Sequence, residues 1–283
     1  MRRMYRFGLL GHNIGYTRSP EIFREIYRRL EAEGTYDVFD ISSDRLTVQW
    51  DGLLSKELQG LSVTIPHKAA VVGLLTEVDA VAAKIGVVNC VKVRDAHTTG
   101  LNTDGYGLTV ALNRVAADFR TKSALVIGNG GVAKAVVYSL AMEFEVKHVT
   151  VMGRDAARLA AFCRSMGKVL PDVRIDMVRN GGLDRVRVDL IVNCTPLGGP
   201  NYPDQSPLVG SAGWLGATMY CDVNYNQGNQ IVTRARADGL QTIDGSTMLV
   251  AQALRTFELC TGVTGPPLEV IYGVVFGKTR QLP

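Results

Sequence analysis

The sequence predicts an α/β protein of two domains, the second of them a doubly wound parallel sheet, and three observations carry that prediction. Strand-like and helix-like segments alternate in two successive runs. A glycine-rich turn, GNGG at Gly128 to Gly131, stands between an apolar strand and a helix at the head of the second run. The 283 residues suffice for two cores of ordinary size.

In the first run, Arg6 to Leu10 reads as a short strand. The turn HNIGYTRSP leads through Pro20 into a helix whose Ile22, Phe23, Ile26, Tyr27 and Leu30 recur at helical spacing, with Gly34 at the expected C-cap. Tyr36 to Ile41 alternates as a strand, Leu46 to Leu54 has helical spacing, and Leu61 to Ile65 is a strand stopped by Pro66. GVVNCVKV at Gly86 to Val93 reads as a further strand, NTDG as a turn, and Tyr106 to Val115 as a helix. The boundary is expected near residue 108.

The second run predicts strands at Ser123 to Ile127, His148 to Met152, Leu190 to Cys194 and Thr218 to Val223. Helices are expected at Ala133 to Met142, Ala156 to Met166 and Ile231 to Asp238. That order favours a parallel sheet with ligands at the carboxyl ends of its strands. The helical pattern from Met248 to Cys260 fits poorly as another repeat and is expected to return to the first domain. The division is therefore 1–108, 109–242 and a C-terminal helical segment, 243–283.

Composition narrows the function classes. With 46% hydrophobic and 20% charged residues the chain is globular, and a scattered net charge of +4 leaves no basic stripe for nucleic acid. Cys90, Cys163, Cys194, Cys221 and Cys260 are odd in number and form no CxxC pair, which argues against a disulfide framework and against a metal site. No apolar run is long enough to span a membrane, and the opening MRRMYRFGLLG lacks an export signal. The expectation is a cytoplasmic monomer or homodimer acting on a small molecule, with neither nucleic acid nor membrane as partner.

Gly128, Gly130 and Ala133 fit GxGxxA. The first glycine allows a tight turn, the second lets a pyrophosphate approach the backbone, and the small third residue lets helix and strand pack closely. Gly128, Asn129, Gly130, Gly131, Val132 and Ala133 thus form the candidate phosphate turn of a Rossmann-type cofactor domain, with helix N–H groups receiving the charge. At the end of the next strand stand Gly153, Arg154, Asp155 and, one turn on, Arg158. Arg154 suits a bidentate contact with a 2′-phosphate and so favours NADP, whereas Asp155 could face a ribose and keeps NAD possible.

The first run carries a polar cluster: SVTIPHK at Ser62 to Lys68, GVVNC at Gly86 to Cys90, and NTDG at Asn102 to Gly105. Together with TRSP at Thr17 to Pro20, NCTP at Asn193 to Pro196, DVNY at Asp222 to Tyr225 and DGSTMLVAQ at Asp244 to Gln252, these stretches resemble the shikimate dehydrogenase family. The resemblance is collinear over nearly the whole chain. It implies a reversible oxidoreductase transferring a hydride between NADP(H) and shikimate or 3-dehydroshikimate, a polyol carboxylate. Lys68 and Asp104 would be the catalytic pair, the ammonium stabilising or protonating the developing alkoxide. Thr17 and Ser19 would bind the substrate carboxylate, with Thr64, Asn89, Tyr225 and Gln252 supplying the remaining contacts. Thr195, Pro196, Val223, Gly245, Met248 and Leu249 would join the cofactor site. His67, Cys90 and Cys194 read as structural.

The chain departs from the family's usual pattern at several positions. Thr17 replaces a Ser, Phe23 and Arg24 stand where His-Asn is usual, Ser62 replaces an Asn, Gly199 replaces a Met, and Gln227 and Gly228 interrupt a Pro-containing segment. A quinate/shikimate or aminoshikimate paralogue using NAD or NADP is therefore an alternative. A non-catalytic ligand-binding module on the same fold is another, against which the retention of both Lys68 and Asp104 argues. An enzyme of the methylenetetrahydrofolate dehydrogenase kind would share the layout without needing both NTDG and Gln252.

Overall fold

The computed structural model describes residues 3–95, 97–115, 122–179, 182–183, 186–208, 213–226 and 228–277. The chain divides into two compact units, one reaching to Gly107 and resuming at Leu249, the other running from Leu108 to Met248. The expected boundary at 242/243 thus falls later, because residues 241–243 form the edge strand of the second sheet.

The first unit holds β1 (Met4–Gly11), α1 (Ser19–Arg29), β2 (Glu33–Asp40), α2 (Leu46–Leu54), β3 (Gly60–Val63), a 3₁₀ turn (Ala70–Leu74), β4 (Glu77–Val78), α3 (Ala80–Ile85), β5 (Cys90–Arg94) and β6 (His97–Leu101). Its sheet has the order β2-β1-β3-β5-β6-β4. β1 pairs in parallel with both β2 and β3, whereas β5 runs antiparallel to its two neighbours, so the sheet is mixed. One core cluster joins Phe7, Phe23, Tyr27 and Phe257, the last from the C-terminal segment. The rings of Phe7 and Phe23 lie 5.1 Å apart, and Phe257 meets Tyr5 edge-on at 5.0 Å. A second cluster gathers Leu10, Trp50, Leu61 and Val88.

Gly34 is not a helix cap. α1 ends at Arg29 with Leu30 as its C-cap, and Glu31 takes the left-handed turn at φ +51°. The N–H of Ala32 then donates to the Tyr27 carbonyl and that of Glu31 to Arg28, which closes the helix as a Schellman motif. Gly34 instead sits in β2, where a Cβ would lie 2.6 Å from the Tyr27 ring. It is glycine to let that ring pack.

On α1, Glu25 is buried and bound by Arg28 at 2.7 and 2.6 Å and by Arg29 at 2.8 Å. The Arg28 hydrogen bonds hold its carboxyl down at about 2. A carboxyl depressed in the folded state stabilises the fold fully above its ordinary value of about 4.5 and loses that contribution as pH falls toward about 2. Since both arginines are largely exposed, solvent reduces the effect to about 1–2 kcal/mol. Glu25→Gln should therefore lower urea-unfolding stability by about that amount at neutral pH, with the gap closing in strong acid. A gap independent of pH would dismiss the ion pair as its source.

The second unit contains most of α4 (Asp104–Val115), then β7 (Ser123–Ile127), α5 (Gly131–Glu143), β8 (His148–Gly153), α6 (Ala156–Val169), β9 (Arg174–Arg179), β10 (Leu190–Asn193), β11 (Met219–Asp222), α7 (Gln230–Ala237) and β12 (Gln241–Ile243). All pairings are parallel in the order β12-β11-β10-β7-β8-β9, the doubly wound sheet expected. Strand order reverses between β7 and β10, where such sheets place ligands. α8 (Ser246–Thr261) leads back to the first unit, followed there by α9 (Leu268–Phe276). The last six residues of the expected C-terminal segment lie outside the described residues. No helix among the described residues is long and apolar enough to cross a membrane.

Candidate active site

In the first unit, the loop after β3 brings Lys68 to Asp104 at the first turn of α4. Lys68 Nζ lies 2.5 Å from Asp104 Oδ2, and the two side chains are 14% and 7% exposed, so the ion pair is shielded from bulk water. Asp104 gains further from its place at a helix N-terminus, whose partial positive charge favours a carboxylate. Its other oxygen, Oδ1, accepts from Asn89 Nδ2 at 2.9 Å.

Local hydrogen bonds explain why three separate motifs converge. Asn102 Oδ1 accepts from the Asp104 N–H at 3.1 Å, a side-chain turn, while its amide donates to the Val87 carbonyl at 3.2 Å. The Val88 N–H donates to the Lys68 carbonyl at 2.8 Å. Asn89 Oδ1 accepts from the Thr103 N–H at 2.6 Å, and Thr103 Oγ1 meets Thr256 Oγ1 of α8 at 3.2 Å. Thr103 and Thr256 were not among the sequence candidates, since only the fold joins a loop threonine to one on a helix 153 residues away. His67 is buried, with Nε2 donating to the Ile41 carbonyl at 2.6 Å, so it is structural as expected.

Thr17 and Ser19 meet at the start of α1, Thr17 Oγ1 donating to Ser19 Oγ at 3.2 Å. The Thr64 N–H donates to the Leu10 carbonyl at 2.8 Å, with the side chain half-buried. Gln252 also belongs to this unit, its amide donating to the Leu249 carbonyl one turn back at 2.9 Å. Tyr225, assigned to the same substrate, is half-buried in the second unit after β11. Phe23 lies wholly in the aromatic core and Arg24 is exposed, so that departure from the family pattern is a packing change. Cys90 is buried 3.8 Å from Cys260, and Cys194 is buried in the second unit.

In the second unit, β7 ends in Gly128 at φ +105°, a conformation that favours glycine, where a Cβ would meet the Thr195 methyl at 3.1 Å. Asn129 and Gly130 follow, and Gly130 is the N-cap of α5 without a side-chain cap. No heavy atom lies within 4 Å of a Cβ built on Gly130. The space before the opening N–H groups of Gly131, Val132 and Ala133 therefore suits a phosphate, and Ala133 is fully buried as close helix–strand packing requires. Lys134, in the same turn, was missed. A base is unfavourable at a helix N-terminus unless an anion arrives, and that mismatch was the available signal. Burial lowers the pKa of its amine.

After β8, the Asp155 carboxylate caps α6 by accepting from the Arg158 N–H at 2.9 Å. The exposed Arg154 and Arg158 guanidinium groups form no ion pair among the described residues. This arrangement fits a 2′-phosphate better than a bare ribose, because the carboxylate is already engaged.

At the end of β11, Asp222 is completely buried and accepts from Tyr220 Oη at 2.8 Å, the Asn224 N–H at 2.9 Å, and the amides of Asn224, Asn193 and Asn229 at 2.7, 3.1 and 3.2 Å. Burial pushes this carboxyl up, opposed by those donors. The network shapes the loop carrying Thr195 and Pro196: Asn193 Oδ1 holds Thr195 by its N–H and hydroxyl, and Asn224 Nδ2 binds the Thr195 carbonyl. Gly199 is required here, since a Cβ would lie 2.5 Å from Asn224 Oδ1. Val223 and Gly245 are in direct backbone contact, and Met248 is buried on α8, whereas Leu249 packs on the first unit's aromatic core. Gln227 lies outside the described residues, and Gly228 is exposed at φ +76°. Among the described residues no cluster of three His, Cys, Asp or Glu could hold a metal.

These features define a two-unit α/β protein with a buried Lys–Asp–Asn cluster in one unit and a dinucleotide-type glycine turn in the other. Residues 9–91 match the shikimate dehydrogenase substrate binding domain, and residues 110–195 match the shikimate/quinate 5-dehydrogenase family. The chain belongs to the shikimate dehydrogenase family. It is 32% identical over 251 residues to a shikimate dehydrogenase (NADP(+)) of Clostridium botulinum strain 657, covering 88% of this chain and 94% of the relative. The shikimate 5-dehydrogenase of Thermus thermophilus, solved with NADP(H) and shikimate, superposes with a TM-score of 0.83 at 28% identity, covering 96% of this chain and 99% of that one. The quinate dehydrogenase of Corynebacterium glutamicum, solved with NAD, gives a TM-score of 0.84 at 28% identity over 97% and 99% of the two chains.

Proposed function

We propose that this chain is an NADP-dependent shikimate dehydrogenase, interconverting shikimate and 3-dehydroshikimate. The shielded Lys68–Asp104 pair, with Asn89 on the second carboxylate oxygen, carries the reading. When bound, NADP supplies or accepts the hydride. Lys68 stabilises the oxygen of the reacting C–O bond and exchanges its proton as charge develops there. Asp104 orients the Lys68 ammonium and accepts from a neighbouring substrate hydroxyl, while Asn89 fixes the carboxylate plane. Thr17 and Ser19 hold the substrate carboxylate, and Thr64, Tyr225 and Gln252 bind the remaining polar groups.

In the second unit, the N–H groups at Gly131 to Ala133 receive the pyrophosphate and Arg154 receives the 2′-phosphate, with Arg158 beside it. Thr195, Pro196, Val223, Gly245, Met248 and Leu249 complete the assignment to the nucleotide. The domain roles follow, a substrate domain and a nucleotide domain. That none of the five cysteines forms a disulfide among the described residues supports a reducing cytoplasm.

Steady-state assay with shikimate and NADP tests the activity, and absence of turnover would refute it. Arg154→Ala is expected to raise KM for NADP by about 10-fold or more and to leave KM for NAD nearly unchanged. An equal effect on both nucleotides would dismiss the 2′-phosphate assignment.

A further inference from the structure

Arg18 stands between Thr17 and Ser19, the two residues assigned to the substrate carboxylate, yet its own side chain is engaged elsewhere. Its guanidinium forks onto Glu21, Nε donating to Oε1 at 2.7 Å and Nη2 to Oε2 at 2.5 Å. Nη2 also donates to the Val275 carbonyl in the last turn of α9, and the guanidinium carbon lies over the Phe276 ring, 5.1 Å from its centre. One cation thus joins the start of α1 to the end of α9.

Each contact has a physical reason. Carbonyls in the last turn of a helix have no partner within it, and Val275 is buried, so a donor from outside completes α9 and complements the negative end of its dipole. The Glu21 fork fixes the plane of the guanidinium, which a lysine ammonium could not match, and the ring adds a cation–π contact. α9 is itself firmly seated, with Ile271 and Val275 in the same core cluster as Ile22 and Phe23 of α1.

The turn around Arg18 is held more lightly. Arg18 is the N-cap of α1 without a side-chain cap, its carbonyl accepting from the N–H groups of Glu21 and Ile22 at 3.1 and 3.2 Å. Thr17 Oγ1 donates to Ser19 Oγ and accepts from the Ser19 N–H, both at 3.2 Å, which is long for a hydroxyl pair. The strong contacts near the two hydroxyls are therefore those of the residue between them.

We propose that Arg18 is a positioning residue for the substrate carboxylate: anchored on α9, it sets the backbone that carries Thr17 and Ser19. Substrate affinity then depends on α9, whose residues are assigned no substrate contact. This inference rests on the functional reading above, which places the carboxylate at Thr17 and Ser19. The carboxylate takes no part in hydride transfer, so its contacts serve ground and transition states alike, and loosening them raises KM with little change in kcat.

The test measures kcat and KM for shikimate, and KM for NADP, in the full chain, Arg18→Ala, Arg18→Lys, Phe276→Ala and the Arg18→Ala/Phe276→Ala double variant, with the thermal midpoint of each. Arg18→Ala is expected to raise KM for shikimate about 10-fold, with kcat and KM for NADP changed less than about 2-fold. Arg18→Lys keeps the charge but loses the fork, and should remain raised by about 3-fold or more. Phe276→Ala should raise the same KM about 3-fold and add nothing to Arg18→Ala, because the two act as one unit. A near-normal Arg18→Lys would make Arg18 a charge acting on the carboxylate directly and overturn the proposal. So would an unchanged KM for shikimate in Arg18→Ala or in Phe276→Ala, full additivity of the pair, or losses shared equally by kcat and both KM values. Either single variant that folds suffices. Inactivity of the unaltered chain with shikimate would overturn the dehydrogenase reading, and this one with it, a distinguishable result.

Discussion

Lys68→Ala is expected to lower kcat for shikimate oxidation by about 10²–10⁴-fold, the range for a positioned proton-transfer group, with KM changed far less. The split follows from the geometry. Lys68 approaches Asp104 at 2.5 Å, but Asp104 keeps its second contact to Asn89 and its place at the helix start. The substrate's carboxylate contacts also remain. What disappears is the cation that meets charge as it forms on the reacting oxygen. Near-normal kcat in a correctly folded variant would remove Lys68 from the mechanism.

Gly245→Ala should destabilise the protein by about 3 kcal/mol or more and lower Tm by roughly 10 °C. A Cβ there would stand 2.1 Å from the Val223 carbonyl oxygen and 2.5 Å from its carbon. Backbone, not a flexible side chain, must move. The Gly245 N–H also donates to the Asn224 carbonyl at 2.8 Å, so movement there reaches the Asp222 network. Gly130→Ala is the contrasting control: its Cβ enters open space and stability should change by less than about 1 kcal/mol, while KM for the dinucleotide rises. An unchanged Tm for Gly245→Ala would exclude close backbone approach as the reason for that glycine.

Much of the architecture was legible because the second unit's strands are short, apolar and separated by regular helices, and because β7, the glycine turn and α5 are adjacent in sequence. The missed elements carry weaker signals. β9 is a polar, largely exposed strand, RIDMVR, and β12 has three residues. α3 spans only six residues, although Asp79 and Gly86 cap it at its two ends. Gly34 misled because a glycine after a helix suggests a cap, whereas the left-handed position fell to Glu31. In the site, Lys68, Asn89 and Asp104 could be nominated from motifs. The five-donor environment of Asp222 could not, because its partners come from three segments and each Asn alone resembles a loop residue.

The aromatic cluster of the first unit also sets an order of assembly. Phe7 and Phe23 are made before the second unit, but Phe257, Ile271 and Val275, which complete their core, are made after it. The second unit, formed by one uninterrupted stretch, can close on its own contacts during synthesis. The first unit must hold its apolar strands incompletely covered until the segment after the second unit has been made, then join residues more than two hundred positions apart. The first unit is thus begun before the second and completed after it, and in that interval it is the part most exposed to aggregation.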